Sequence, residues 1–288
     1  MPSRQQIKRR IGSVRNTRQI TKAMQLVSAS KLRRIQAAVQ ATQAYSKYAR
    51  ELLTYLKSQH GATRFDFYRE RPVKRRLLML VTSDRGLAGA YNANAIKLYL
   101  REVKKDQDAG IKTQTIAFGR QGANLVSRLK DADVLGTYTG LPDSPSLGDL
   151  QAAIDTAINA FKSGQVDAVD IIYTNFVSTI TQQTAVQRML PAGFTEETVS
   201  EAIRASEFEP SMEEVLMNTT IRLLESQVLQ AVLESIVSEQ AMRMLAMKNA
   251  TDNASDIIDD LTLVYNNARQ AAITQELAEI TGGAEALK

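Results

Sequence analysis

Apolar residues near the start of the chain recur at steps of three and four. They are Ile7, Ile11 and Val14, then Ile35, Ala38, Thr42, Tyr45, Ala49, Leu52 and Leu56. This is the spacing of one helix face. Ser3 and Gln6 fit a capping box, in which the serine oxygen accepts from a free amide and the glutamine reaches back. No proline follows before Gly61, and Gly12 is the only glycine in between. One helix over 1–60 is predicted. At 1.5 Å per residue it spans on the order of 80 Å, too long for a compact domain, and is expected to project from the globule.

The other end repeats the pattern. Ser211 and Glu214 form a second capping box after Pro210, and no proline or glycine intervenes before Gly282 and Gly283. A helix over 211–281 is predicted. Its seam reads Met247, Ala250, Ala254, Ile257, Leu261, Val264, Ala268 and Ala271, a period of 3.5 that implies a left-handed supercoil. The two terminal helices are expected to wind as an antiparallel coiled coil. Between Arg18 and Ser28 the first helix's seam turns polar while Ile20, Met24 and Val27 carry its apolar face sideways, so irregular packing is expected there.

Between the helices, strand-like and helical runs alternate over 73–205, which predicts an α/β domain. RRLLMLVTS at 75–83 reads as a buried strand with a helix from about 90, and TQTIAFG at 113–119 as another with a helix to about 131. VLGTYTG, a helix near 147–161 and AVDIIYTNFVS at 168–178 continue the series. QQTAVQRMLP reads as an edge strand ended by Pro191.

Charge adds to this picture. The net charge is +5, yet residues 1–50 hold twelve Lys or Arg and no acid, while 201–288 hold fifteen acids and six bases. Charge complementarity supports the helix pairing. The basic stretch is readable as a solvated face, a transit peptide, or a surface for an acidic protein or nucleic acid. Against nucleic acid stand the acidic last helix beside it and the lack of interleaved aromatics.

Among 288 residues there are no cysteines or tryptophans and one histidine, which excludes thiol chemistry, disulfides and Cys- or His-rich metal sites. LLMLV is the longest aliphatic run, too short to span a bilayer. SDRGLAGAYN at 83–92 follows the first strand, where open α/β sheets bind ligands, but Gly86 and Gly89 lack phosphate-loop spacing. FGRQG at 118–122 fails in the same way, so both read as structural turns. Asp252, Asp256, Asp259 and Asp260 read as a solvated helix face, and His60 as favourable at a helix C-terminus. No serine or threonine has an evident base. No catalytic, cofactor or metal site is expected.

QITKAMQLVSASKLRR at 19–34, SDRGLAGAYN, SEQAMRMLAMKNATDNA at 238–254 and YNNARQAAITQELAEITGGAEAL at 265–287 resemble the gamma subunits of F-type ATP synthases, essentially end to end. Ile273, Thr274, Glu276, Glu279, Gly283 and Ala284 carry the signature most specifically. The resemblance implies paired terminal helices with a central Rossmann-like α/β domain, forming the central rotor shaft. It implies alpha and beta subunits as partners, three of each around one copy, with epsilon and the c-subunit ring at the foot. It assigns Met24, Arg269, Gln270, Thr274 and Glu276 to beta contacts, and Phe208 and Glu209 to the c ring. The chain itself would be a non-catalytic subunit, reaching the membrane only through partners. Without the cysteine pair of chloroplast members, and with a helix starting near residue 3, it is expected at the cytoplasmic face of a bacterial plasma membrane.

Overall fold

A computed structural model of the chain describes residues 3–60, 66–129, 132–192 and 211–286, with 199, 201 and 209 between them. Two compact units emerge: 29–243, and 1–28 with 244–288. Helix α1 (Arg4–His60) and the last helix, α5 (Met212–Ala286), contribute to both. The capping box at the start of α1 forms as expected. Ser3 N–H donates to Gln6 Oε1 at 2.9 Å, and Gln6 N–H to Ser3 Oγ at 3.3 Å. At the other terminus α5 runs on through Gly282 and Gly283 instead of stopping there. Glycine lowers helix propensity by about 1 kcal/mol but does not forbid helical torsions.

The larger unit is an α/β fold. Its strands are β1 (Arg75–Val81), β2 (Lys112–Phe118), β3 (Asp133–Tyr138), β4 (Ala168–Phe176) and β5 (Gln182–Leu190), in the order β3-β2-β1-β4-β5. All neighbours are parallel except β4 and β5, so the expected edge strand is present and antiparallel. Helices α2 (Tyr91–Asp108), α3 (Arg120–Val126) and α4 (Leu147–Lys162) supply the crossovers. Successive residues of β1 serve opposite faces. Leu77, Met79 and Val81 join a core with α4 and α5, whereas Leu78 and Leu80 join one with Ala95, Leu98 and Tyr99 of α2. A strand covered on both faces has no polar face, which explains the unbroken LLMLV run.

One buried group of ions was not legible in the sequence. Arg76 on β1 pairs with Asp170 on β4 and bonds Glu102 at 3.1 Å and Asp106 at 3.0 Å on α2, while Arg188 on β5 also pairs with Asp170. The cluster ties three strands and a helix together.

In this unit α1 and α5 run antiparallel. Leu32 and Ile35 pack with Leu233, Val237 and Ala241, and Ala49 and Leu53 with Leu216 and Leu223. In the smaller unit the pairing continues at Thr21, whose Oγ1 accepts from Thr251 Oγ1 at 2.8 Å.

Two seam expectations need correction. Packing does not become irregular between Arg18 and Ser28: the buried line continues at heptad steps through Ile7, Thr21, Ser28 and Ile35, with Thr21 8% and Ser28 2% exposed. Ile20, Leu26 and Val27 face outward instead. On α5, Met247 and Ala254 are buried as expected, but Ile258 (7% exposed) takes the place assigned to Ile257 (44%). Further along, Tyr265 and Ala272 are half-buried whereas Val264 and Ala271 are exposed. The partner helix fixes which member of each apolar doublet turns inward.

Replacing Ile258 by alanine is therefore expected to cost about 2–4 kcal/mol in urea unfolding of the full chain, and Ile257→Ala less than about 1 kcal/mol. Arg76→Leu is expected to cost about 3–5 kcal/mol by leaving buried carboxylates uncompensated, measurable by the same titration.

Candidate functional site

The end of β1 is where an α/β sheet offers a ligand site, and here its polar groups are already engaged. Ser83 N–H donates to Asn92 Oδ1 at 3.0 Å, and Ser83 Oγ donates to the Arg85 carbonyl at 2.7 Å. The Asp84 carboxylate accepts from the amides of Arg120 and Gly140, both at 2.9 Å. An acidic side chain of the chain itself thus holds the amides that a phosphate would need. Gly119, at φ 83°, lies so close to β1 that a Cβ would meet the Thr82 carbonyl oxygen at 2.2 Å. Thr82 Oγ1 accepts from Gly122 N–H at 2.8 Å. Gly119 and Gly122 are thus required by the close approach of their turn to Thr82.

Helix α5 grips the segment after β1. Arg243 donates to the Gly86 carbonyl at 3.2 Å and is paired with Glu239 at 2.5 Å. Burial raises the Glu239 carboxyl above its ordinary range, opposed by the Arg243 guanidinium. Burial, reinforced by Glu239, also raises the Tyr91 phenol, which shares a hydrogen bond with Ser235. Asp252, Asp256, Asp259 and Asp260 are exposed on α5, and among the described residues no group of three or more His, Cys, Asp or Glu is placed to hold a metal ion. The side chain of His60 lies outside the described residues.

The unusual chemistry is on the surface of the smaller unit. Its seam hides hydroxyls: Thr251 Oγ1 donates to Thr21 Oγ1, which donates to the Arg18 carbonyl at 3.0 Å. Ile20 (62% exposed), Leu26 and Val27 on α1 point outward, as do Leu263, Val264, Ile273, Leu277 and Ile280 on α5. A groove between the helices is lined by Arg18, Gln19, Lys22, Ala23, Leu26, Thr251 and Ser255. A lone exposed aliphatic residue is ordinary, but a helix pair with hydroxyls in part of its seam and several aliphatics outside presents a surface suited to contact.

Residues 3–287 match the family described as ATP synthase. Two relatives called ATP synthase gamma chain, from two strains of Chloroflexus aurantiacus, are 43% identical over 290 aligned positions, covering 100% of this chain and 99% of theirs. The chain belongs to the ATP synthase gamma-chain family. Its fold is also that of more distant solved structures. In a Euglena gracilis mitochondrial ATP synthase rotor, a chain 18% identical superposes with a TM-score of 0.66, covering 93% of this chain and 97% of that one. A chain of the central stalk and c ring of the Tetrahymena thermophila mitochondrial ATP synthase gives 0.60 at 23% identity, over 80% and 99%.

In this gamma-family chain the five positions assigned to beta contacts fall in two separate places. Met24 is half-buried beside the groove, among the outward aliphatics of α1. Arg269, Gln270, Thr274 and Glu276 are exposed on α5. The Thr21–Thr251 contact sets the helix register, which puts Met24 about 30 Å along the axis from Arg269. Thr274 Oγ1 donates to the Gln270 carbonyl at 2.9 Å, leaving the Gln270 side-chain amide a separate polar group. Glu209 is exposed, and Phe208 lies outside the described residues. Sequence reading did not find Leu263, Leu277 or Ile280, since nothing distinguishes an outward leucine from a seam leucine until the partner helix is placed.

Asp84→Ala would strip two amides of their charged acceptor. It is expected to lower stability by about 1.5–3 kcal/mol and the midpoint of the thermal melt with it, with no change in helix content at low temperature.

Proposed function

We propose that this chain is the central shaft of an F-type ATP synthase, coupling ion flow through a membrane c ring to ATP synthesis or hydrolysis on the catalytic beta subunits. The observation that carries the reading is the set of outward aliphatics on the helix pair of the smaller unit, Ile20, Leu26, Val27, Leu277 and Ile280, while its seam holds Thr21 and Ser28 of α1 as well as Met247, Ala254 and Ile258 of α5. Such a pair is arranged to be enclosed by other chains. Three alpha and three beta subunits form the enclosing ring, and epsilon and the c ring attach to the rest of the chain.

A single asymmetric shaft inside a threefold ring presents a different side to each catalytic site. Every 1.4 kcal/mol of difference in shaft contact between two states of a site changes their ratio about tenfold. The chain thus needs no active site of its own. On this reading Met24 and its basic neighbours Arg18 and Lys22 meet an acidic lever loop of beta, where opposite charge aids docking. Arg269, Gln270 and Thr274 hold a beta catch loop by charge-assisted and neutral hydrogen bonds, with Glu276 supporting the cluster, and Glu209 meets the c ring. Among the described residues no helix is long and apolar enough to cross a membrane, so attachment comes through partners, at the cytoplasmic face of a bacterial plasma membrane.

Mixing this chain with alpha and beta subunits from the same source tests the reading. A complex of three alpha, three beta and one copy, with sustained ATP hydrolysis absent from the chain alone, is expected by native mass and turnover. Failure to join the ring would refute the reading. Leu26→Glu with Val27→Glu is expected to weaken joining by about tenfold or more while leaving the chain folded. Ending the chain before Arg269 is expected to lower ion-driven ATP synthesis, and full synthesis by that truncation would overturn the catch assignment. Met24→Lys is expected to alter the ratio of ion pumping to hydrolysis, and an unchanged ratio would make the Met24 contact dispensable.

A further inference from the structure

Strand β4 outlasts its neighbour β1. The last paired residues of the two are Ile172 and Leu80, so from there on the inner edge of β4 lacks a strand. Two residues further, at Thr174, α5 takes the place of that strand. Thr174 N–H donates to Ser235 Oγ at 3.0 Å, and Ser238 Oγ donates to the Thr174 carbonyl at 3.1 Å. The two serines stand one helical turn apart, and both are fully buried. Ser235 is further held by the Tyr91 phenol. Nearby, α5 is also held by aliphatic packing through Val232, Leu233 and Val237 and, further along, by Arg243 on the Gly86 carbonyl.

Aliphatic packing resists separation but has little directional preference, so a helix held by it alone can turn or slide against a sheet. Hydrogen bonds weaken steeply once angle and distance are lost. A donor and an acceptor on one residue, taken by two hydroxyls a helical turn apart, fix both the rotation and the axial position of α5. The Thr174 hydroxyl itself has no hydrogen-bond partner, so the joint is made by the strand's backbone and the helix's serines.

We infer that Ser235 and Ser238 form the joint through which the α/β unit holds α5 against twisting, and that torque passes between sheet and helix at the Thr174 backbone. The inference rests on the shaft reading: any buried strand edge needs partners for its amide and carbonyl, and it is the shaft role that makes this joint carry torque. The serines are positioning residues and touch no reacting group.

The test uses the complete ATP synthase containing this chain, in sealed vesicles, and reads ions pumped per ATP hydrolysed at matched amounts of complex. Ser235→Ala with Ser238→Ala is expected to lower this ratio by about twofold or more while hydrolysis without an ion gradient keeps its rate. Each single replacement gives a smaller loss and serves if the double variant does not assemble. Thr174→Val, which keeps the backbone groups and removes only the partnerless hydroxyl, is expected to leave the ratio unchanged. An unchanged ratio in the serine variants overturns the joint, as does an equal loss in Thr174→Val. If the complex with the unaltered chain hydrolyses ATP without pumping, the shaft reading fails instead, and the two failures are thereby distinguished.

Discussion

The antiparallel pairing of the first and last helices is the constraint on which the rest of the chain depends. Each is far longer than a helix that water alone sustains, so its stability comes from a packed face. In the larger unit that face is aliphatic, with Ile35 against Val237 and Leu53 against Leu216 and Leu223. In the smaller unit the same heptad line passes through Thr21 and Ser28, and small hydroxyl residues take the place of aliphatics. Small seam residues permit close approach of the axes, and the Thr21 and Thr251 hydroxyls, bonded to the Arg18 carbonyl and across the seam, avoid the cost of unpaired buried polar atoms. On α1 Ile20, Leu26 and Val27 are thereby left for the outside. A pair built this way gives up part of its own burial energy and presents an adhesive exterior, a poor arrangement for a free coiled coil and a suitable one for a core element of a larger assembly.

The α/β unit follows a different logic. Its central strands β1 and β4 are buried on both faces, so polar ties come mainly toward strand ends and edges. Arg76, Asp170 and Arg188 cross-link β1, β4 and β5, and Asp84 ties the end of β1 to the turns following β2 and β3. At those strand ends the anion that engages the Arg120 and Gly140 amides is the protein's own carboxylate.

Much of this was legible in the sequence. Long helices follow from long proline-free periodic segments, and the strands from unbroken apolar runs. What periodicity could not decide was which member of an apolar doublet faces the partner. Ile257 and Ile258, Val264 and Tyr265, and Ala271 and Ala272 serve a 3.5-residue seam equally well, and the burial of Ile258 reflects the position of α1. Between Arg18 and Ser28 the polar turn of the seam was legible but its regularity was not: the apolar face moving sideways through Ile20, Met24 and Val27 suggested irregular packing, whereas Thr21 and Ser28 keep the heptad line. Arg76 was hidden for a related reason. A charged residue at the start of a strand reads as a solvated flank unless Asp106 and Glu102, about thirty positions away and less, are known to fold over it.

These misreadings have a common origin that bears on function. Sequence patterns report burial in whatever surroundings the protein has in use, whereas a single chain shows only the burial it makes itself. Where the two disagree, the missing term is a partner. The outward aliphatics of the smaller unit are such a disagreement, gathered on two helices, whereas the exposed aliphatics of the larger unit, among them Leu87, Leu100, Val134, Val177 and Ile180, are spread over loops, α2 and the edge strand β3. The chain's need for other subunits is accordingly concentrated in its terminal helices. Directional hydrogen bonds at Thr174, where the last helix replaces a missing strand, belong to the part that is already complete. A shaft requires both properties: a surface finished only by others, and a grip on that surface finished by itself.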